Sequence, residues 1–192
     1  MSRHESLRGA IVWAVAPYVP QAPFRIWGGP EQPVASVATA TELARQVLRR
    51  GLDAEQAFIV AAKLRPVVVL QERPRRALSE YAALRILRLE ELSEARRESV
   101  RAHAEPSLFH LPVDPQKYGM TKEGAIDLNS LLRIHESAIA GRTIGRLDAA
   151  ELRVLGERLV DHLDIDLTAA IERKARGLLE EIAAARSRRP TG

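Results

Sequence analysis

The apolar positions fall into short runs separated by proline, glycine and charge. Ile11-Val12-Trp13-Ala14-Val15 is β-branched and aromatic and stops at Pro17, which predicts a strand. Pro17 to Val34 holds five prolines and the pair Gly28-Gly29, so it reads as a loop. Thr39 stands three residues before Glu42, a capping box that opens a helix with Leu43, Val47 and Leu48 on its apolar side. Gly51 closes that helix. Asp53 with Gln56 repeats the cap and predicts a second helix to about Lys63; the β-prone Phe58-Ile59-Val60 leaves strand open for 57–62.

Pro66 to Gln71 is a continuous apolar run of strand length. Glu72-Arg73-Pro74-Arg75-Arg76 is a basic turn, and Tyr81 to Leu89 predicts the next strand, with Arg85 and Arg88 interleaved among aliphatics. Leu92 to His103 suits a helix and Pro106 to Val113 a strand. Gly124–Leu128 and Leu132–Ser137 predict two more strands. Gly141-Arg142-Thr143-Ile144-Gly145 reads as a small corner, and it follows no buried parallel strand that would make it a phosphate loop. Asp148 and Glu151 form a second capping box, with Leu147 placed to staple onto Leu152. Leu152, Leu155, Leu159 and Leu163 follow at helical spacing. A last helix is predicted over 167–186, with Leu167, Ile171, Leu178 and Ile182 on one face and a disordered basic tail after it.

Composition narrows the chemistry. Apolar residues make up 46% of the chain but aromatics only 4%, so a core must rest on Leu, Val, Ile and Ala. Cysteine is absent, which excludes disulfides and thiolate metal sites and fits a reducing compartment. No window reaches the apolar length of a membrane helix, and Met1–Arg8 carries no signal-type run, so a cytoplasmic protein without membrane contact is expected. The net charge is +4, and of 29 basic residues 25 are arginine, whose planar fork suits phosphate. Most of these arginines are expected on solvated helix faces. The five histidines show no HxH or HExxH spacing, so neither a metal site nor a cofactor is expected. His110 and His135 would suit an acid/base pair by residue type, but their spacing does not support one.

Three segments carry a family resemblance. Arg8-Gly9-Ala10-Ile11-Val12-Trp13, Arg65-Pro66-Val67-Val68-Val69-Leu70, and Leu132-Arg133-Ile134-His135 with Gly145-Arg146-Leu147 and Glu151-Leu152 follow one another in the order of the MazF/PemK toxin family. The chain resembles a divergent member. The resemblance implies an α+β fold: a small SH3-like β-barrel of about five to seven strands. It would carry a helical insertion after the first strand, at about 17–63, and two C-terminal helices. The barrel domain would span 1–165, leaving 166–192 as helix and tail.

The resemblance also implies an activity. Family members are metal-independent endoribonucleases of toxin–antitoxin systems that inhibit growth. They cut single-stranded RNA by attack of the substrate's 2′-hydroxyl, leaving a 2′,3′-cyclic phosphate. The cationic role maps onto Arg65, and Ser93 is the nearest hydroxyl to the family's Thr/Ser partner, because the third strand ends in Glu90-Glu91. Ser93 better suits a helix N-cap before Glu94-Ala95-Arg96. RNA contacts are expected from Arg73, Arg75, Arg76, Arg85 and Arg88, with Trp27 the exposed stacking candidate and Trp13 in the core. The implied partners are single-stranded RNA, an antitoxin protein and a second copy in a homodimer. The missing hydroxyl also allows a degenerate barrel that binds RNA or protein without cutting.

Overall fold

The strand runs pair because alternate side chains can be buried on a common face. The computed structural model describes residues 6–18, 22–27, 34–49, 57–74 and 78–187. They form two compact units, 1–148 and 149–192.

In the first unit, β1 (Ala10–Pro17) pairs antiparallel with β4 (Ala62–Val69), setting Val12 opposite Val67 and Ala14 opposite Arg65. β5 (Glu80–Arg88) pairs with β4 and with β7 (Gly124–His135). β6 (Leu108–Leu111) and β8 (Ile139–Arg146) complete an antiparallel sheet in the order β6-β7-β5-β4-β1-β8. One face buries Ala10, Val12 and Ala14 with Val67, Val69, Tyr81, Ala83 and Ile134. Each large aliphatic so buried contributes roughly 1.5–3 kcal/mol over its exposed state. A smaller cluster joins Leu89, Leu108 and Ala125 to Val100 of α2 (Glu94–Arg101).

The sheet curls but does not close into a barrel; its edge strands β6 and β8 are not paired among the described residues. The connection after β6 nevertheless reaches β8, where the Arg146 backbone N–H donates to the Lys117 carbonyl at 2.8 Å. Two glycines permit the approach. A Cβ on Gly119, which has φ +68°, would lie 2.1 Å from the Ile144 carbonyl oxygen. A Cβ on Gly145 would lie 2.1 Å from the Tyr118 carbonyl carbon. No side chain fits at that spacing.

The insertion between β1 and β4 holds a two-stranded ribbon and a helix. β2 (Phe24–Ile26) pairs with β3 (Ala35–Val37). α1 (Ala40–Leu48) starts as its capping box predicts, with Thr39 Oγ1 accepting the Glu42 N–H at 3.2 Å. The predicted second helix is not found over its described part. Residues 57–61 run extended, Phe58 bridges to Ile26, and β4 begins at Ala62. The β-branched and aromatic run outweighed the cap signal, whose Asp53 and Gln56 lie outside the described residues, as do Gly28, Gly29 and Gly51.

Two further expectations change. The two strands predicted across 124–137 are one bent strand, β7, running Gly124–His135, interrupted by a bulge. The supposed Gly/Arg corner is β8, which pairs with β1. Glycine lowered its strand signal, and pairing supplied what composition did not.

The second unit consists of α3 (Ala149–His162) and α4 (Thr168–Ser187). Asp164, at φ +49°, ends α3 with the Ile165 N–H donating back to the Val160 carbonyl, the bond pattern that glycine usually serves at a helix end. Asp166 receives the Thr168 N–H at 2.8 Å at the start of α4. The tail beyond 187 lies outside the described residues. Among the described residues, no helix is long and apolar enough to cross a membrane.

Candidate functional site

The bulge in β7 builds one end of the site. Leu84 pairs with Leu131 and Ile86 with Ile126, so the single residue Arg85 faces Asp127–Ser130. The Asp-Leu-Asn-Ser sequence favours this, because its short polar side chains bond to nearby backbone in place of the ladder. Ser130 Oγ accepts the Arg85 backbone N–H at 3.0 Å and donates to the Asp127 carbonyl at 2.8 Å. Asp127 Oδ1 accepts from the Asn129 backbone at 3.1 Å. Its Oδ2 accepts from Arg85 Nη2 at 2.7 Å. Asp127 is 6% exposed, a burial its charge tolerates because both oxygens are bonded and a guanidinium lies against one.

Arg65 stands on the neighbouring strand, opposite the small Ala14. Its guanidinium donates to the Tyr18 hydroxyl at 3.0 Å and lies 5.5 Å from the centre of that ring. It is half-buried.

Both arginines line a cavity of about 600 Å³ between the sheet and the insertion. The insertion wall is held by main-chain bonds. Ile59 N–H donates to the Arg25 carbonyl at 2.9 Å, Trp27 N–H to Ala57 at 3.1 Å, and Tyr18 N–H to Ala61 at 2.8 Å. Phe24 and Phe58 meet edge to face on it, with centroids 6.2 Å apart. Among its described lining residues, Arg25, Arg65 and Arg85 stand against the single carboxylate of Asp127. A second cavity of about 280 Å³ is lined by Trp13, Pro66, Arg88, Thr121 and Lys122, and Arg65 borders it too.

The predicted residues separate. Arg65 and Arg85 share the larger cavity, and Arg88 lines the smaller one. Ser93 is the exposed N-cap residue of α2, makes no side-chain capping bond, and lines neither cavity. Arg73 and Trp27 are exposed and line neither cavity. Arg75 and Arg76 lie outside the described residues. Trp13, expected in the core, is 38% exposed, because the strand's alternation buries Val12 and Ala14 instead. Glu90, just after the end of β5, is neutralised by its neighbours. Lys122 Nζ bonds it at 2.8 Å and, with Arg88, holds its carboxyl below the ordinary range.

His110 bonds Glu123 at 3.2 Å and His135 bonds Ser137 at 2.7 Å, so the two histidines have separate partners. Among the described residues, no group of three or more His, Cys, Asp or Glu is placed to hold a metal ion.

Three residues went unnoticed in the sequence: Tyr18, Asp127 and Ser130. The polar Asp127-Leu128-Asn129-Ser130 interruption between two apolar runs was the available signal for the last two. Tyr18 carried none, since its role depends on the pairing of β1 with β4. The chain matches no family model and no curated protein.

Proposed function

We propose that this chain is a MazF/PemK-like endoribonuclease that cuts single-stranded RNA without a metal, in the cytoplasm, and that the larger cavity holds the scissile linkage. The carrying observation is Arg65: a guanidinium on a concave surface whose side-chain partner is a neutral phenol, so its charge remains available to a phosphate. The curled six-stranded sheet, with its β6–β7 connection seated on β8, supports reading the unit as an opened relative of the SH3-like barrel.

The chemistry asks little of the protein. The 2′-oxygen forms a bond to phosphorus as its proton leaves, and the P–O5′ bond breaks as the 5′-oxygen takes up a proton. The products are a 2′,3′-cyclic phosphate and a 5′-hydroxyl. Arg65 would meet the charge growing on the non-bridging oxygens, a contribution that strengthens in the transition state. A homodimer, and an antitoxin whose extended segment enters the groove, belong to the same proposal.

The position of Ser93 outside both cavities favours a second reading, a sheet that binds RNA or protein without cutting. One experiment separates the two. Wild type and Arg65→Ala are incubated with mixed single-stranded RNA in EDTA, and product ends are tested for cyclic phosphate and free 5′-hydroxyl. Cutting that falls about 100-fold in Arg65→Ala supports the enzyme. Binding without cutting by wild type supports the second reading, and undiminished cutting by Arg65→Ala removes Arg65 from the mechanism.

A further inference from the structure

The insertion gives the larger cavity a wall unlike its floor. Tyr18, Phe24 and Phe58 face a cavity that Arg25, Arg65 and Arg85 also line. Tyr18 is 44% exposed and Phe58 39% exposed, so folding leaves much of both rings in a wet cleft. The wall is fixed by main-chain bonds from Tyr18 and Ile59, so no ordering of the backbone is needed when a ligand arrives. Such a cavity matches a ligand that is flat and π-faced at one end and anionic at the other. A purely apolar ligand would leave the Arg65 charge facing only the neutral Tyr18 hydroxyl, and a bare phosphate would leave the rings in water. The volume of about 600 Å³ lies in the range of small-ligand sites.

We propose that the Tyr18–Phe24–Phe58 wall is a stacking subsite for one nucleobase of single-stranded RNA, next to the phosphate held at Arg65. This rests on the reading of the groove as an RNA site and adds to it the element that grips the base. Tyr18 joins the two ends, since its ring belongs to the wall and its hydroxyl bonds Arg65. Base–aromatic stacking accepts any base, so the subsite adds affinity and positions the linkage without reading sequence.

The test uses the full chain and a fluorescent, uncleavable 2′-O-methyl RNA oligomer, in one form with all its bases and one with abasic central positions. Binding is followed by anisotropy for wild type, Phe58→Leu, Phe24→Leu and Arg65→Ala, with thermal melts to verify folding. Removing the stack should weaken the base-bearing oligomer roughly 5-fold or more in Phe58→Leu and leave the abasic oligomer unchanged. Arg65→Ala should weaken both oligomers alike. If folded Phe58→Leu and Phe24→Leu lose nothing, or lose as much for the abasic oligomer, the wall does not stack a base, while the Arg65 effect still stands. If wild type binds neither oligomer at low salt, the RNA reading and the subsite both fall.

Discussion

Arg65 and Arg85 stand on adjacent strands of one sheet and line one cavity, yet their surroundings differ in kind. Arg85 lies 2.7 Å from a buried carboxylate, and its backbone is tied to Ser130. Its Nε is buried with no hydrogen-bond partner among the described residues. At a ligand's distance, a guanidinium beside a carboxylate acts as a dipole, and its field fades faster than that of a lone charge. Arg65 bonds only a neutral hydroxyl among the partners seen. One arginine holds the bulge together and the other offers charge to the cavity. Both are arginines on strands of one sheet; the partner decides the role.

The comparison can be broken in several places. The largest effect is expected at Arg65. Alanine there should cut RNA cleavage about 100-fold and leave the denaturant midpoint close to wild type, since no buried group loses a partner. Arg85→Ala should do the reverse where stability is concerned. It strands the Asp127 carboxylate, and because the Arg85 side chain is 31% exposed, the loss should fall below the range for a fully buried pair, at about 2 kcal/mol in urea unfolding. Adding Asp127→Asn should recover part of it; no recovery would mean the bulge depends on the charge itself. Ser130→Ala should cost about 1 kcal/mol, read the same way, because two bonds that close the bulge disappear.

The smallest effect is in acid. Glu123 is held below the ordinary glutamate range, first by its bond from Arg101 and then by His110. The folded state therefore binds that proton less readily than the unfolded chain. The stabilisation is fully present above the ordinary glutamate range and disappears as pH falls through the lowered value. Glu123→Gln should flatten the acid limb of the stability profile by less than about 1 kcal/mol, and leave the cleavage ratio between wild type and Arg65→Ala unchanged.

Much of the fold was legible because its signals are local. The Thr39 cap and the charged helix after Ser93 stand where their own residues place them, and the apolar run predicted over Pro66–Gln71 lies in β4 as far as Val69. β8 was not legible: Gly141 and Gly145 mask strand character that only pairing with β1 supplies. The site was half legible. Arg65 was named through the family resemblance and Arg85 from its place among the aliphatics of a strand, but Asp127 is linked to Arg85 across 42 positions, and nothing in either segment announces the other. Tyr18 meets Arg65 across 47 positions for the same reason. Trp13 shows the limit of residue type, since a large aromatic in a strand was expected inside and alternation put it outside.

The pairing of β1 with β8 has a consequence for synthesis. Because synthesis runs from the N-terminal side, β1 leaves the ribosome well before its partner on one side, residues 139–146, which are among the last of its unit. Until those residues emerge, one edge of β1 offers unsatisfied amides and carbonyls to any neighbouring chain. A nascent polypeptide stalled before Ile139 should be prone to intermolecular pairing, and the sheet that carries the cavity can settle only when translation of the unit is nearly complete.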